Sequence, residues 1–181
     1  MHGDLDGEVV LVDAHDAPVG TAGKLRAHQE GLLHRAFSVF VFDAAGSLLL
    51  QRRADGKYHS GGLWSNTCCS HPRPGEAVED AAHRRLREEM GFDCALAGAG
   101  HFTYRAELGN GLVEHELDHV FSGVWSGVPL PDPAEVGAWR WCPVDALEDA
   151  LRDYPETFTA WLPLAWHQLA PRVRPALAPL A

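Results

Sequence analysis

The chain has 181 residues, of which 46% are hydrophobic, so it can form one domain of ordinary size with a substantial core. Its formal net charge of -10 argues against a nucleic-acid partner, because phosphate backbones are bound by clustered lysine and arginine. The sequence shows neither a signal peptide nor an apolar run long enough to span a membrane. We therefore expect a cytoplasmic protein that does not act at a membrane. We expect a single domain over residues 1–170, a flexible tail over residues 171–181, and a monomer or weak homodimer.

The first part of the chain predicts three strands. Residues 8–13 predict a strand that ends at a turn over residues 16–20, and a polar stretch follows as far as His28. Two more strands, over residues 36–43 and 47–52, are predicted to pair as a hairpin around a short loop. We expect this hairpin to lie centrally in a sheet.

A long helix is predicted over Glu76–Met90, because apolar residues recur every four positions and Gly91 follows. Later elements are two antiparallel strands over 101–108 and 112–125, a strand over 138–142, and helices over 144–153 and from Pro155 to about Leu169, with an interruption or kink at Pro163. Together these elements predict an α/β (α+β) fold, with a mixed β-sheet between helices. A ligand pocket is expected between the sheet edge and the Glu76–Met90 helix.

Two carboxylates project from one face of the predicted strand 112–125. Strand side chains alternate, so Glu114 and Glu116 point the same way and repel each other. One interpretation is a solvated outer face, and the strand pattern taken alone favours it. The other interpretation is that a metal ion neutralises the pair.

A thiol and an imidazole lie two residues apart in the polar segment before the long helix. Four cysteines, including the adjacent Cys68 and Cys69, make a poor disulfide framework, which favours reduced thiols. Cys69 fits either a small buried hydrophobe or an acid–base thiol, and His71 either a ligand or a base. The pair taken alone does not decide between these interpretations.

Two further histidines, His28 and His34, precede the strand at residue 36. Each one alone fits a surface histidine. With His71 and the two carboxylates, they would form a six-coordinate site with one open position, suited to Mn²⁺, Mg²⁺ or Zn²⁺. The histidines are informative only as a combination.

The segment from Gly75 to Gly91 resembles a Nudix box, G-x5-E-x7-R-E-U-x-E-E-x-G-U, in which U is a bulky apolar residue. Aligned on Gly91, the matching residues are Glu76, Arg84, Leu86, Glu88, Glu89 and Phe92. Ser70 replaces the first glycine, and Arg85 replaces the glutamate after the arginine. The second change removes part of the metal cluster of Nudix hydrolases, which argues against hydrolysis. A plain amphipathic helix with surface charges would show a similar pattern.

Beyond the box, the chain resembles the type I isopentenyl-diphosphate isomerases, a Nudix-fold branch that isomerises instead of hydrolysing. The likeness runs from about Val9 to Trp166. It is carried by KLRAHQEGLLHRAFSVFVFD, LLLQRRADGK, GLWSNTCCSHP, GEAVEDAAHRRLREEMG, FTYRA, GLVEHELDHVF and ETFTAW. In this order and spacing the segments are highly specific, although no single one is.

The resemblance implies two metal sites. One ion would be held by His28, His34, His71, Glu114 and Glu116. Glu89 would bind Mg²⁺, which also contacts the substrate diphosphate and the backbone oxygen of Cys69. One departure is that the loop between His28 and His34 is a residue shorter than in the best-known bacterial members.

The resemblance also implies the residues that bind and convert the substrate. The diphosphate would be held by Lys24, Arg53, Lys57 and Arg85. Cys69 and Glu116 would be the catalytic pair, and Cys69 is chosen over Cys68 because it keeps the C-x-H-P pattern. Tyr104 would hydrogen-bond near the acid, and Trp161 would face the hydrocarbon.

The implied chemistry explains these residue types. Protonating an alkene requires a strong acid in a dry pocket and gives a tertiary carbocation, which an aromatic face can stabilise. We predict that the side carrying Glu116 and Tyr104 delivers the first proton and that Cys69 removes the second, although the two roles are exchangeable. The alternatives are a Nudix diphosphohydrolase and a non-catalytic module that binds a metal or a diphosphate.

Overall fold

The computed structural model describes residues 7–177. Within this range the elements are β1 (Glu8–Val12), β2 (Pro18–Gly23), α1 (Lys24–Glu30), β3 (His34–Phe42), β4 (Leu48–Arg53), β5 (Trp64–Ser65), β6 (Cys68–Ser70), α2 (Val78–Met90), β7 (Leu96–Gly109), β8 (Leu112–Val124), β9 (Val136–Cys142), α3 (Val144–Asp153) and α4 (Trp161–Leu177). The nine strands form one mixed sheet. The predicted fold class is thereby confirmed.

Strand β3 lies at the centre of this sheet. It runs parallel to β8 along its whole length and antiparallel to β6. Strand β8 also pairs with β7, and the two are joined by the predicted tight turn, in which Asn110 and Gly111 have positive φ angles of 53° and 74°. Such a turn matches the right-handed twist of the flanking strands.

The predicted hairpin of β3 and β4 is confirmed next to its turn, where the two strands pair antiparallel at Phe42 and Leu48, but this pairing does not extend along the strands. From there β3 continues beside β8, whereas β4 pairs with β9. Both partners are distant in sequence, and a local alternation of residue types carries no information about distant partners.

The two faces of β3 are covered by different helices. Phe40 and Phe42 point into a core cluster with Leu162 of α4, whereas Phe37 and Val39 belong to a cluster with α2. A strand that is buried on both faces has a nearly continuous apolar sequence, and residues 36–42 of β3 (AFSVFVF) show this pattern. Helix α2 ends at Gly91, whose φ is 74° and where a Cβ would lie 2.2 Å from the Leu130 oxygen, so only glycine fits.

A turn was predicted over residues 16–20 and a polar stretch as far as His28, but the chain forms regular elements from Pro18 onward. Strand β2 begins at Pro18 and pairs with β1, and α1 follows directly. Most of β2 is exposed, so it lacks the apolar alternation that marks a half-buried strand. Helix α1 has only seven residues, too few for a periodic signal.

The last helix begins later and ends later than predicted. Pro155–Thr157 form a short 3₁₀ turn, and α4 starts at Trp161, so Pro163 falls in the first helical turn, where no intrahelical N–H bond is lost. The helix continues to Leu177, through part of the predicted tail, and residues 178–181 lie outside the described residues. Along residues 7–177, no helix has both the length and the apolarity to cross a membrane.

Candidate active site

A cavity of about 460 Å³ opens where β3, β6, β8, α1, α2 and the start of α4 meet. It is lined by Lys24, Phe37, Ser38, Arg53, Lys57, His59, Cys69, Ser70, His71, Arg85, Glu89, Glu114, Glu116 and Trp161. Of the residues predicted for the site, only His28, His34 and Tyr104 do not line the cavity. Those three lie directly behind it, in contact with lining residues.

Strand register brings one side of the site together. Across three neighbouring strands, His34 of β3 lies beside Glu116 of β8, and Glu116 lies beside Tyr104 of β7. On the other side of β3, Ser38 lies beside Cys69 of β6. Residues that are far apart in sequence therefore line one cavity because the sheet has this strand order.

Three histidines and one carboxylate form a compact group. The ligand atoms of His28, His34, His71 and Glu116 all lie within 4.8 Å of one another. The rings of His28 and His34 are 5.0 Å apart, so the shorter loop between them still brings them together. Glu116 Oε1 lies 3.0 Å from His71 Nε2 and 3.4 Å from His34 Nε2.

The Nε2 atoms of two of these histidines are prepared to bind a metal ion. His28 Nδ1 and His34 Nδ1 each donate to a backbone carbonyl, of Lys24 at 2.7 Å and of Leu32 at 2.8 Å, which leaves a lone pair on each Nε2. His34 Nε2 is buried without a hydrogen-bond partner. A buried, unpartnered nitrogen next to a carboxylate fits a divalent ion.

Glu114 belongs to a second, overlapping group. Its carboxylate lies with His28 and His59 in a set whose ligand atoms are also within 4.8 Å of one another. The predicted five-ligand set is therefore split, with His28 common to both parts. Within residues 7–177, neither Cys69 nor Glu89 belongs to these groups.

Tyr104 bridges the two carboxylates. Its hydroxyl oxygen lies 2.8 Å from Glu116 Oε2 and 3.0 Å from Glu114 Oε2. Burial and the charge of Glu116 raise the pKa of Glu114 well above its usual range. Burial also acts to raise the pKa of Glu116, but His34 and His71 outweigh it and hold that pKa well below its usual range. One hydroxyl has one proton, so the arrangement is satisfied when protonated Glu114 donates to Tyr104 and Tyr104 donates to ionised Glu116.

Cys69 lies among polar side chains deep in the cavity. Its thiol donates to Asn66 Oδ1 at 3.0 Å, and Trp161 Nε1 donates to Cys69 Sγ at 3.0 Å. Burial raises the pKa of the Cys69 thiol to about 12, so it is protonated at neutral pH. Cys68 is fully buried in the α2-side core cluster.

Four cationic side chains face the same cavity, namely Lys24 at the start of α1, Arg53 at the end of β4, Lys57 in the following loop and Arg85 on α2. Arg85 donates to Glu89 Oε1 from Nη2 at 2.6 Å, and its Nη2 also lies 3.2 Å from Glu135 Oε2. Lys57 contacts the same oxygen of Glu135. The guanidinium of Arg53 lies 5.3 Å from the centroid of the Trp161 ring, and its buried Nε has no hydrogen-bond partner. Such a donor is suited to an anion. Lys24 is the fourth cation.

Several residues of the site were not identified from the sequence. His59 lines the cavity, Ser65 and Asn66 contact both Cys69 and Trp161, and Gln51 donates to Glu89 Oε2 at 3.0 Å. Glu135 joins two of the cations. These residues reach the site because strands and loops that are distant in sequence come together in the fold. Only the number of histidines, 11, pointed towards a further ligand such as His59.

Comparisons with known proteins agree with the geometry. A family model for the NUDIX domain matches residues 32–162. The chain is 58% identical over 158 residues to isopentenyl-diphosphate Delta-isomerase 2 of Aromatoleum aromaticum, covering 87% of this chain and 84% of the relative. It is 57% identical over 157 residues to the isopentenyl-diphosphate Delta-isomerase of Burkholderia multivorans, covering 87% of this chain and 89% of that one.

Solved structures agree in fold. The crystal structure of DR0079 from Deinococcus radiodurans superposes with a TM-score of 0.74 at 17% identity, over 88% of this chain and 98% of that one. The MutT protein of Methanosarcina mazei gives a TM-score of 0.63 at 20% identity, over 77% and 94%. The domain match and the two isomerase relatives, taken with the shared fold, show that this chain belongs to the Nudix superfamily and, within it, to the isopentenyl-diphosphate Delta-isomerase family.

Proposed function

We propose that the protein interconverts isopentenyl diphosphate and dimethylallyl diphosphate, the reaction for which its relatives are named. The observation that carries this proposal is the cavity itself. It has a thiol, Cys69, and a carboxylate, Glu116, on its wall together with four cations and a tryptophan. Moving a double bond requires one group that gives a proton and another that takes one, with the diphosphate held beside them.

The diphosphate is proposed to bind where the cations converge. Lys24, Arg53, Lys57 and Arg85 all face the cavity, and the unpartnered Nε of Arg53 is a ready donor. Glu89 lies at the same end, next to Arg85. Mg²⁺ is commonly bound by one or two carboxylates together with substrate phosphates, so Glu89 is the proposed protein ligand of a substrate-bound Mg²⁺.

A second divalent ion is proposed at His28, His34, His71, Glu114 and Glu116. When bound, the ion neutralises the two carboxylates and fixes the position of Glu116. The nitrogen and oxygen ligands suit Mn²⁺, Mg²⁺ or Zn²⁺. The support for this site is the buried, unpartnered His34 Nε2 and the backbone carbonyls that orient His28 and His34.

Proton transfer is proposed to run between Cys69 and Glu116. The low pKa of Glu116 and the high pKa of Cys69 give a resting state with the proton on sulfur and an ionised carboxylate. Protonating an alkene requires a strong acid, and a group whose pKa is lowered is the stronger acid once protonated, so Glu116, with Tyr104, is proposed to give the first proton to the terminal carbon. Cys69, whose raised pKa makes its thiolate the stronger base, is proposed to remove the proton from the carbon nearer the diphosphate. Turnover then starts from the form with the proton on Glu116 and a thiolate at Cys69.

The intermediate is a tertiary carbocation, which water would trap. The cavity limits that loss because Trp161, Glu114 and Glu116 are all buried. The Trp161 face offers cation–π attraction of up to about 2 kcal/mol when desolvated. Tyr104 keeps Glu116 oriented through its 2.8 Å hydrogen bond.

The hydrolase alternative is disfavoured by Arg85. Nudix hydrolases have a glutamate at this position of the box, whereas here a cation pairs with Glu89 at 2.6 Å and with Glu88 at 2.9 Å. The cluster of metal-binding carboxylates on α2 is reduced by one member and carries an added positive charge.

We also propose a cytoplasmic location, which the free thiols of Cys68, Cys69, Cys94 and Cys142 support.

The proposed function is tested by incubating the purified protein with isopentenyl diphosphate and Mg²⁺ and identifying the product. Dimethylallyl diphosphate, formed only before chelator treatment and again after metal is restored, is the expected result. Release of inorganic phosphate would favour the hydrolase. Stoichiometric binding without turnover would favour the non-catalytic module.

A further inference from the structure

His59 lies at the edge of the proposed ion site and has no role in the function described so far. It comes from the loop between β4 and β5, and its side chain is only 7% exposed. Its Nδ1 lies 3.8 Å from Glu114 Oε1, and its ring stacks on that of His28 with centroids 5.6 Å apart. The ring also meets Trp161 edge-on at 6.0 Å.

These distances are compatible with a shared ion. Two ligands of one ion lie at most about 4.2 Å apart, which is twice a metal–nitrogen bond of about 2.1 Å. The separation of 3.8 Å between His59 Nδ1 and Glu114 Oε1 is within that limit. His28, His59 and Glu114 form a candidate ligand set that shares His28 with the set of His34, His71 and Glu116. The ligand atoms of all six residues do not lie within 4.8 Å of one another, so one shared ion would require the side chains to move closer around it.

His59 would add a sixth ligand to the five that are proposed for the ion. The set proposed above has three histidines and two glutamates, and Mg²⁺ and Mn²⁺ prefer six ligands. One position would therefore remain for water or for a further ligand. His59 lies beside Glu114, one of the five proposed ligands.

We propose that His59 is a sixth protein ligand of this ion, beside His28, His34, His71, Glu114 and Glu116. This inference rests on the ion site of the proposed function. It means that the ion has no position for water or for the diphosphate. A closed site of this kind orients its ligands instead of activating a bound molecule. The ion would then act only through the two glutamates that it holds.

Manganese binding tests the proposal without relying on activity. The metal-free protein is titrated with Mn²⁺, and the affinity and the water-proton relaxation rate of the bound ion are both measured. The variants are His59→Ala, which removes the ring, and His59→Phe, which keeps an aromatic ring against His28 but has no ligand atom. The matched control is His101→Ala, because His101 is an exposed histidine on β7. Circular dichroism checks that each variant is folded.

The expected result has two parts. Both His59 variants bind Mn²⁺ at least about 10-fold more weakly, since even residues that only support metal ligands contribute this much. The bound ion in His59→Ala also relaxes water protons faster than in the wild type, because water enters the vacated position. His101→Ala behaves as the wild type does.

Other outcomes would distinguish failure of the sixth-ligand proposal from failure of the proposed ion site. Wild-type affinity and wild-type relaxation in both His59 variants would overturn the sixth ligand and leave the five-ligand site intact. Fast water relaxation in the wild type would also overturn it, because a closed site admits no water. Failure of the wild type to bind Mn²⁺ at all would overturn the ion site itself.

Discussion

The indole N–H of Trp161 reaches the sulfur of Cys69 across 3.0 Å and is shared with Ser65 Oγ and Asn66 Oδ1. Trp161 and Cys69 are 92 positions apart and meet because α4 begins beside β6. An N–H aimed at sulfur stabilises a thiolate more than a thiol. In the proposed reaction Trp161 would therefore contribute a second effect besides that of its aromatic face, by stabilising the negative charge of a Cys69 thiolate.

Variants of the two adjacent cysteines test the proposed catalytic role of Cys69 against a structural role for Cys68. Cys69→Ala should lower kcat by at least about 100-fold, the lower range of a general acid–base contribution. Cys68→Ala should keep its activity and lose about 1 kcal/mol of stability, because Cys68 is buried in the core and is not on the cavity wall. Steady-state kinetics and thermal unfolding of both variants check this. The reverse pattern would assign the role to Cys68.

Trp161→Phe tests the hydrogen bond to sulfur while keeping an aromatic ring. We expect kcat to fall by about 10-fold, since a hydrogen bond to a charged group is worth about 1.5 kcal/mol or more. The thiol of this variant should also react with iodoacetamide only at a higher pH than the wild-type thiol does. Unchanged alkylation at every pH would show that the indole nitrogen does not act on Cys69.

Tyr104→Phe removes the hydroxyl between Glu114 and Glu116 and retains the ring. Its expected effect is a drop in kcat of about 10-fold with little change in KM, because Tyr104 orients Glu116 and does not line the cavity. The control is Thr103→Ala, an exposed residue on the same strand that points to the opposite face from Tyr104. A rise in KM alone would indicate a role in substrate binding instead.

Arg85 and Arg87 lie on the same helix and differ in surroundings. Arg85 faces the cavity, whereas Arg87 is more than half exposed and pairs with Asp93. Arg85→Ala should raise KM for isopentenyl diphosphate by about 10-fold or more, through loss of a charge-assisted contact to phosphate. Arg87→Ala should leave KM unchanged. Equal KM values for the two variants would remove Arg85 from the diphosphate site.

The stability of the metal-free protein should depend on pH through His71. Burial lowers the pKa of His71 to about 3, although Glu116 opposes this, against 6.5 for the free side chain. Between these values the unfolded chain binds a proton that the native protein does not, so stability falls as pH drops below 6.5.

Thermal unfolding at neutral pH and at about pH 4.5 measures this dependence. The decrease in Tm should be smaller in His71→Asn, which has no imidazole to protonate. Saturation with Mn²⁺ should reduce the decrease in the wild type, because the ion binds only the native, deprotonated site. An equal decrease in Tm for the wild type and His71→Asn would contradict the assignment.

Much of this architecture could be predicted from local patterns. Helix α2 was recognisable from its four-residue repeat and Gly91, and the turn at Asn110-Gly111 located β7 and β8. These signals are contained within single elements. The pairing of β3 with β8 is not, since nothing within either strand specifies a parallel partner.

In the site, too, some residues have a local sequence signal and others are brought in only by the tertiary fold. The resemblance drew attention to His34, Cys69 and Glu116, which carry recognisable spacing in the sequence. His59 and Glu135 belong to no motif, and each approaches its partners through a loop. Loop conformation is set by tertiary contacts, so a sequence pattern could not place these two residues in the cavity.

The central claim is that Cys69 and Glu116 exchange protons with the substrate, and proton NMR in deuterated buffer tests it most directly. Isopentenyl diphosphate and divalent metal are added to the wild type, Cys69→Ala and Glu116→Gln. The account predicts that only the wild type forms dimethylallyl diphosphate, with deuterium incorporated into the product, and that both variants leave the substrate unchanged. Wild-type conversion by Cys69→Ala, or product without deuterium, would contradict it.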